Sequence, residues 1–543
     1  NPFNDVFIAN NGTIIYKDLF NKEALIAIWG DYKSKRKHLN DILNECRGQY
    51  FLVILDKNDL IVATDKFRTI PVYMSNDGGF EISNIYYLMT TDKKMEYAIN
   101  KQKFAESVST SWNYPLFTDG TIYDEINFLL PGSTYHFGRE SFTYGRYYKP
   151  EESIEFGKYQ DYNVLIDDLT EAIDKNYKFL ENVKGIGCDI TGGFDTRLNV
   201  NEVADRKDVV YANDALSSDV HLTKGRYGEL KIVNKIYENV NPKSFRVENN
   251  DYQIRTWIRK NQDYLLKYND CFVMSPKRFR YFYNRAKEKK ISINLSGYSG
   301  TELCTRSPYE IKTLLLDVDE FVEKFQPYND IMKEENYFWQ YYDNLKDYIR
   351  SLAIVSYPSQ PKDAYSYIIY VLIQMNSQQT YWGVANTFMP MYSPYYDLME
   401  ILFEVSPEMM DRYKIQRFLY DRIMRKELRE IPTTHGFPAC KVTWRNFWRF
   451  GNLITNADDY NLQFYTFFHR IRLKLQRKLV YYSPKINWFF NLVSKITGME
   501  FRFLDRTVKH EMFDQEKLNK KFINKQLLEW ILEFDKKLEK YDG

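Results

Sequence analysis

After residue 150 the sequence alternates short apolar runs with amphipathic segments, and this alternation restricts the fold more than any other feature. The apolar runs at 184–190, 209–212 and 291–295 have the length of buried strands. Segment 163–180 carries apolar residues at steps of three and four, which predicts a helix. Strands that alternate with helices favour a parallel sheet in an α/β fold.

The first 150 residues show a different pattern, dominated by apolar runs between turn residues. Runs at 49–55 and 60–63 flank the sequence Asp-Lys-Asn-Asp, which predicts a β-hairpin. Further strands are expected at 24–29, 71–74, 80–82 and 134–137. Helices are expected at 196–203, 229–237, near 101–107, over most of 337–430, and over 514–542. This half therefore predicts an antiparallel sheet that precedes the α/β part.

Charge and composition exclude several classes of protein. The 75 basic and 73 acidic residues give a net charge of +2, which argues against a nucleic-acid-binding protein that relies on bulk positive charge. The sequence has no apolar run of the ~18 residues that span a membrane, and its start does not resemble a signal peptide. The five cysteines are far apart and odd in number, which favours reduced thiols. We therefore expect a cytoplasmic protein with no nucleic-acid partner.

The stretch Ile-Thr-Gly-Gly-Phe-Asp-Thr-Arg connects a predicted strand to a predicted helix. Gly192 and Gly193 allow the backbone to approach an anion closely, and the helix N-terminus favours negative charge. Thr191 and Thr196 add hydroxyl donors. Asp195 would repel a phosphate unless it also binds Mg²⁺, which takes carboxylate and phosphate oxygens together. The alternative is an ordinary strand-to-helix turn.

A second stretch, Leu-Ser-Gly-Tyr-Ser-Gly-Thr-Glu-Leu, follows another predicted strand. Ser296 and Gly297 leave room for a ligand at the carboxyl end of a sheet. Tyr298 and Glu302 are polar groups suited to acid–base chemistry. The alternative is a glycine turn followed by a helix that Ser299 or Thr301 caps.

Together these stretches resemble the asparagine synthetase family. Residues 191–196 are similar to its loop S-G-G-x-D-S, and residues 296–303 are similar to S-G-x-G-x-D-E-L. Further similar segments, in the family's order, lie at 65–73 (R-D-x-x-G-x-K-P-L-Y), 117–132 (T-x-x-x-x-I-x-x-L-x-P-G) and 389–397 (P-F-L-D). The resemblance spans about residues 24 to 445.

The resemblance implies three parts and one activity. The parts are an amidotransferase-like αββα sandwich over 1–150, an ATP-pyrophosphatase synthetase domain with a parallel sheet over 160–445, and a helical C-terminal extension over 446–543. The activity is that of an ATP-dependent, AMP-forming carbon–nitrogen ligase, which adenylates a substrate carboxylate and transfers it to an amine. The residues implied to bind ATP and Mg²⁺ are Thr191, Gly192, Gly193, Asp195, Thr196, Ser296 and Gly297, with Asp195 as the metal ligand. The residues implied in catalysis are Tyr298, Glu302 and Lys441.

Two departures from the family concern glutamine hydrolysis. Glutamine-hydrolysing members begin with a nucleophilic Cys, whereas residue 1 here is Asn1. The family's oxyanion-hole Asn-Gly aligns with Trp29-Gly30. Both departures predict a degenerate glutaminase domain, as in β-lactam synthetases and lasso-peptide cyclases.

Three departures concern the synthetase loops. Tyr298 replaces an acidic residue, and in β-lactam synthetases this Tyr helps to deprotonate an amine. A free phenol has a pKa of about 10, so a tyrosine in this role would need a carboxylate partner. Thr301 replaces the metal-binding Asp, so Glu302 is the remaining acidic residue there. Arg197 replaces a Ser and either contacts phosphate or caps the sheet.

The region after the expected helices is basic and aromatic. Lys441 resembles a family Lys that neutralises pyrophosphate and the acyl-adenylate, and its alternative is a surface Lys. Segment 441–478 predicts either a helical cap with a solvated basic face or a surface for a phosphorylated, glycan or lipid-headgroup partner.

The resemblance leaves the substrates open. We expect an acid and an amine without glutamine hydrolysis, as in peptide macrolactam formation or the joining of an amino acid to a sugar acid. The alternatives are ammonia-dependent amidation of a small acid or sugar acid, in the manner of asparagine synthetase, and a non-catalytic scaffold.

Overall fold

The structure is a computed structural model of the chain. The residues that it describes are 6–57, 59–75, 81–90, 98, 100, 120–121, 123–138, 142–213, 229–248, 285, 291–306, 311–312, 314–325, 379–411, 413–433 and 439–440.

Strands and helices are numbered here in chain order. The strands are β1 (Val6–Gly12), β2 (Ile15–Tyr16), β3 (Leu19–Phe20), β4 (Tyr50–Asp56), β5 (Asp59–Thr64), β6 (Tyr73–Ser75), β7 (Glu81–Ser83), β8 (Ile126–Phe128), β9 (Ser133–Phe137), β10 (Phe142–Arg146), β11 (Ile186–Asp189), β12 (Val209–Asn213), β13 (Phe245–Glu248), β14 (Ile293–Leu295) and β15 (Met391–Tyr392). The helices are α1 (Lys22–Lys33), α2 (Leu39–Glu45), α3 (Tyr86–Thr90), α4 (Pro150–Ser153), α5 (Tyr162–Tyr177), α6 (Asp195–Val203), α7 (Glu229–Tyr237), α8 (Gly300–Cys304), α9 (Val318–Phe325), α10 (Gln379–Phe388), α11 (Pro394–Asp397), α12 (Met399–Phe403), α13 (Lys414–Ile423) and α14 (Lys426–Arg429).

The first sheet is antiparallel, with the strand order β1-β4-β5-β9-β10. Its central hairpin pairs β4 with β5, so that Asp56 lies opposite Asp59 at the turn. The predicted hairpin is therefore confirmed. Alternate residues of β4 are buried, because one face of the sheet packs on helices.

Segment 24–29, which we expected to be a strand, lies within α1. The residues of α1 buried in the core include Ala24, Leu25, Ile28 and Trp29, a spacing that forms one face of a helix. A run of six apolar residues does not separate a strand from a buried helix segment. The polar residues on both sides continue the helical repeat, and they decide the conformation.

The antiparallel sheet is covered on both faces. On one face, Ile54 of β4 joins the buried cluster that contains Ile28 of α1 and Leu43 of α2. On the other face, Val62 of β5 packs with Val72 and other residues next to the three-stranded sheet β7-β6-β8.

Helix α3 lies on the far side of the three-stranded sheet. Met74 of β6 packs toward the first sheet. The neighbouring Tyr73 therefore points the other way, and its ring lies 4.9 Å from that of Tyr86 in α3. The three-stranded sheet therefore lies between α3 and the first sheet.

The second sheet is parallel, with the order β13-β12-β11-β14-β15. All residues of β11, β12 and β14 are buried, as is typical of parallel strands covered on both faces. The expected strands at 184–190, 209–212 and 291–295 are these three. A mixed α/β protein with one antiparallel and one parallel sheet is therefore confirmed.

The helix expected at 163–180 is α5, which ends at Tyr177 because a 3-10 helix follows over Lys178–Asn182. The Asp161 carboxylate accepts a hydrogen bond from the Asn163 N–H (2.6 Å) and caps the helix. Residues 379–430 are mainly helical, as expected, apart from β15. Helices expected near 101–107, over 337–378 and over 514–542, and the extension 446–543, lie outside the described residues.

Buried apolar residues of the antiparallel part and of the parallel sheet belong to one continuous cluster. It joins Ile14 and Ile54 to Ile186 and Leu295. Of the helices in the described ranges, none has both the length and the apolar character that a membrane crossing requires.

Candidate active site

The two glycine-containing loops lie side by side, at the carboxyl ends of β11 and β14. These strands are parallel neighbours, with Ile186 opposite Ile293 and Cys188 opposite Leu295. The chain proceeds from β11 to β12 and β13 on one side, and β14 and β15 lie on the other. The strand order therefore reverses between the two loops, which is where open parallel sheets bind ligands.

Hydrogen bonds between its own residues hold the first loop. The Thr196 hydroxyl accepts from the Thr191 N–H (3.0 Å), and the two threonine hydroxyls lie 3.0 Å apart. The Thr191 hydroxyl also accepts from the Gly193 N–H (3.3 Å). Of the residues that the structure describes, only Thr191 would come near a Cβ at Gly193, with its Oγ1 at 3.5 Å. Packing against the described residues therefore does not require a glycine at position 193.

Two buried tyrosines hold the start of α6. The Tyr420 hydroxyl donates to the Phe194 carbonyl (3.0 Å), and the Tyr395 hydroxyl donates to the Asp195 carbonyl (3.1 Å). The two hydroxyls are 2.6 Å apart, and burial raises both pKa values well above the usual range. Both hydroxyls therefore stay protonated and fix the backbone that carries Asp195.

Arg197 supports the loop from beneath. Its guanidinium is fully buried and donates to the carbonyls of Gly193 (3.0 Å), Leu428 (3.2 Å) and Pro432 (2.8 Å), and also to that of Ile431. Of the two roles considered for Arg197, phosphate contact and structural capping, the structure favours capping.

The second loop packs directly on the first. A Cβ at Gly297 would lie 2.4 Å from both Asp195 C and Thr196 N, so only glycine fits there. A Cβ at Gly300 would lie 2.8 Å from Asp195 Oδ1. Ser296 is buried, and its N–H donates to the Tyr392 carbonyl (2.8 Å). The two predicted motifs therefore lie in direct contact.

The Asp195 carboxylate is held by side chains from two other elements. Thr301 Oγ1 lies 2.7 Å from Oδ1 and 2.9 Å from Oδ2, and Gln416 Nε2 donates to Oδ1 (2.8 Å). Both donors are neutral, so they orient the carboxylate without neutralising its charge. Gln416 is fully buried, and its Oε1 has no hydrogen-bond partner.

Of the three residues implied in catalysis, the structure describes the positions of Tyr298 and Glu302. Tyr298 is half-buried in the second loop, and its carbonyl accepts from Ser393 Oγ (2.8 Å). Glu302 is the third residue of α8. Lys441 lies outside the described residues, but the preceding Cys440 is buried, and its carbonyl accepts from Arg417 Nε of α13 (3.1 Å).

Sequence reasoning missed Gln416, Tyr395 and Tyr420. Tyr395 belongs to the segment compared with P-F-L-D, but nothing in that comparison assigns it a contact with Asp195. Gln416 and Tyr420 lie one turn apart on α13. No local pattern marks them, because their role depends on packing across 221 and 226 residues of chain.

The Asp195 carboxylate suits Mg²⁺ only if phosphate oxygens supply further ligands to the ion. The described residues contain no group of three or more His, Cys, Asp or Glu side chains arranged to hold a metal. Mg²⁺ is commonly bound through one or two carboxylates, with phosphate oxygens and water as the other ligands. A single carboxylate beside a helix N-terminus suits that arrangement.

The glutaminase argument changes with the structure. Trp29 and Gly30 lie inside α1, where backbone N–H groups bond to carbonyls of the preceding turn, so Gly30 does not offer an N–H to a ligand. An Asn-Gly pair is present at Asn11 and Gly12, at the end of β1, and Gly12 has φ of 87°. Trp29-Gly30 therefore does not support the loss of an oxyanion donor, and Asn1 lies outside the described residues.

Comparisons with known proteins do not assign the chain to a family. No protein-family profile matches the chain. No curated protein matches it. Among solved structures, glutamine phosphoribosylpyrophosphate amidotransferase from B. subtilis, complexed with ADP and GMP, is 11% identical with a TM-score of 0.16. The structure of the allosteric regulatory enzyme of purine biosynthesis is 12% identical with a TM-score of 0.17.

These likenesses cover 34% and 45% of this chain. The chain spans 40% and 60% of the two structures that it matches. At such TM-scores neither likeness supports an inference about fold or function.

Proposed function

We propose that this protein is an ATP-dependent, AMP-forming amide ligase similar to the asparagine synthetase family. One observation carries the proposal: the two motifs, distant in sequence, meet at the switch point of the parallel sheet, with Gly297 packed on the Asp195–Thr196 peptide. This arrangement suits a nucleotide whose phosphates approach the N-terminus of α6.

The first step activates the substrate acid. The loop 191–196 and the start of α6 bind the ATP phosphates, with Ser296 and Gly297 alongside. A carboxylate oxygen of the substrate bonds to the α-phosphorus, the α–β phosphoanhydride bond breaks, and pyrophosphate leaves. Mg²⁺, held by Asp195 and phosphate oxygens, would supply charge neutralisation. Thr301 and Gln416 fix the Asp195 carboxylate in one orientation before substrate binds.

The second step forms the amide. The amine nitrogen attacks the acyl carbon, the bond to AMP breaks, and the amine gives up a proton. We propose that this proton is accepted on the side of the site that holds Tyr298 and Glu302. We propose that Lys441 neutralises the negative charge of pyrophosphate. Positioning supplies most of the rate in such a site.

The proposed substrates are a carboxylic acid and an amine of a peptide, amino acid or sugar acid, without glutamine hydrolysis. We further propose that segment 441–478, with Lys441 at its start, contributes to substrate choice or to a peripheral contact. The protein is proposed to act in the cytoplasm.

ATP–pyrophosphate exchange over a panel of carboxylic acids tests the proposal. Exchange is expected with at least one acid, and Asp195→Asn should reduce it by two orders of magnitude or more, because one removed electrostatic contact costs ~10²–10³-fold in rate. Asp174→Asn, a change of an exposed acid on α5, is the matched control and should retain exchange. Exchange that persists in Asp195→Asn would contradict the assigned role.

A non-catalytic scaffold is the second candidate, and one observation favours it. Thr301 and Gln416 already hydrogen-bond the carboxylate that the ligase reaction requires for Mg²⁺. The scaffold predicts no exchange with any acid. Once an acid is found, substituting ammonium for the organic amine separates ammonia-dependent amidation from ligation of two organic substrates.

A further inference from the structure

Helix α13 and its N-cap contact the start of α6 at three points. The Tyr413 ring stacks on that of Phe194, with centroids 4.6 Å apart and an interplanar angle of 11°. The Tyr420 hydroxyl donates to the Phe194 carbonyl (3.0 Å). Gln416 lies between these tyrosines in sequence, and its Nε2 donates to Asp195 Oδ1 (2.8 Å). The two tyrosines therefore hold position 416 against the Asp195 carboxylate.

The amide of Gln416 is satisfied at one end only. Its side chain is fully buried, and its Oε1 has no hydrogen-bond partner among the described residues. An unpaired buried acceptor costs free energy, which an apolar side chain of the same length would avoid. Packing alone therefore does not explain a glutamine at this position, whereas the hydrogen bond from Nε2 to Asp195 does.

The burial of these residues separates the side chain that meets a ligand from the one that supports it. Asp195 and Thr301 are half-buried, so this part of the site is open to solvent. Gln416 has no exposed surface. Gln416 therefore acts on a ligand through Asp195 and not by touching the ligand.

The donors around Asp195 suit a carboxylate that has no metal bound. Both Thr301 and Gln416 are neutral, and together they hydrogen-bond the two carboxylate oxygens. Mg²⁺ gives up its water reluctantly and is commonly bound through one or two carboxylates together with substrate phosphates. One carboxylate that already accepts hydrogen bonds is thus a weak site for the free ion. A second carboxylate within 2.8 Å would repel the first and favour a cation between them.

We propose that Gln416 sets the order of binding at this site: it holds the Asp195 carboxylate in the nucleotide-free protein, so that Mg²⁺ enters only in complex with ATP. This inference rests on the proposed function, because it takes ATP to be the ligand of the loop 191–196. Gln416 is a positioning residue, since it acts through Asp195. A carboxylate of the same size at position 416 should turn the position into a site for free Mg²⁺.

Titration of the full chain with MgCl₂ in the absence of nucleotide, followed by calorimetry at slightly alkaline pH, tests the order of binding. Wild type should show no saturable binding at millimolar Mg²⁺. Gln416→Glu should bind Mg²⁺ at least about tenfold more tightly than the limit set by wild type. Mg²⁺ should also raise the unfolding temperature of this variant. Gln160→Glu makes the same change at an exposed glutamine, and it should behave like wild type.

Gln416→Met tests whether the amide orients Asp195. This variant loses the unpaired Oε1 together with the hydrogen bond, so its stability in urea should stay close to that of wild type. The affinity for ATP is measured once with Mg²⁺ and once with EDTA. Mg²⁺ should raise the affinity of wild type, and this gain should be at least about fivefold smaller in Gln416→Met, with the affinity in EDTA unchanged. A merely structural role would lower both affinities alike.

Each measurement has a result that would overturn the proposal. These results are saturable binding of free Mg²⁺ to wild type, no gain of Mg²⁺ affinity in Gln416→Glu, and an undiminished effect of Mg²⁺ on ATP affinity in Gln416→Met. If Gln416→Glu folds only when Mg²⁺ is added, the proposal is supported, and if it does not fold at all, Gln416→Met decides. The MgCl₂ titration contains no nucleotide, so its failure is distinct from a failure of pyrophosphate exchange. Absence of ATP binding to wild type would contradict the proposed function itself.

Discussion

Alanine substitutions at Gly193 and Gly297 separate a ligand requirement from a folding requirement. A Cβ at Gly297 would lie 2.4 Å from Asp195 C and Thr196 N, about 1 Å inside ordinary contact, so the two loops would have to move apart. Overpacking of this kind costs ~1–3 kcal/mol or more. Gly297→Ala should therefore lower the free energy of unfolding by at least that amount.

Gly193→Ala should behave in the opposite way. Among the described residues its Cβ would meet Thr191 Oγ1 alone, at 3.5 Å, and Gly193 is not among the glycines with positive φ. A strain-free Gly-to-Ala change stabilises a protein by ~0.4–1 kcal/mol through the unfolded state. The added methyl group would stand on the backbone that we propose approaches the phosphates, so affinity for MgATP should fall at least about tenfold, or ~1.4 kcal/mol.

The two quantities are measured separately. Urea unfolding gives the stability of each variant, and titration calorimetry with MgATP gives its affinity. The reasoning is refuted if Gly193→Ala binds MgATP as wild type does, because Gly193 would then serve neither the fold nor a nucleotide.

Further predictions concern three other side chains. Tyr298→Phe should slow amide formation but spare pyrophosphate exchange; an equal loss of both steps would contradict a role on the amine side. Arg197→Met should destabilise the fold by ~3 kcal/mol or more in urea unfolding, because it leaves several buried carbonyls without donors. Unchanged stability would contradict the structural role and favour a contact between Arg197 and phosphate. Burial raises the pKa of Asp65 to about 6, against ~3.9 in the unfolded chain, so the folded protein binds this proton more tightly. The free energy of unfolding should therefore fall by up to ~3 kcal/mol as the pH rises from about 4 to 6. Asp65→Asn should remove that part of the pH dependence, as urea unfolding at both ends of the range would show.

The strands that position the candidate site could be predicted because each carries its own signal. The strands β11, β12 and β14 are buried on both faces, so they are mostly apolar, and each is followed by turn residues. The hairpin β4–β5 follows from its turn residues in the same way. Segment 24–29 gave the wrong prediction because six apolar residues are compatible with both a strand and one face of a helix.

The contacts at Asp195 could not be predicted, because they depend on where distant elements meet. Thr301 reaches Asp195 across 106 residues, and Gln416 across 221. Local patterns indicate periodicity and turns, whereas these contacts depend on the packing of α8 and α13 against the start of α6. The aromatic support from Tyr395 and Tyr420 has the same origin.

Thr301 illustrates how the structure changes the meaning of a substitution. From sequence it is either a helix cap or the loss of a metal ligand. In the structure, Ser299 is the N-cap, with φ of 67°, and makes no side-chain cap bond, while the Thr301 hydroxyl bonds the Asp195 carboxylate. An aspartate at position 301 would set two carboxylates at hydrogen-bonding distance, which requires a cation or a shared proton between them. The threonine hydroxyl removes that requirement, so the Asp195 carboxylate keeps its orientation without a cation. In the proposed reaction, Mg²⁺ would then depend on phosphate oxygens for its remaining ligands.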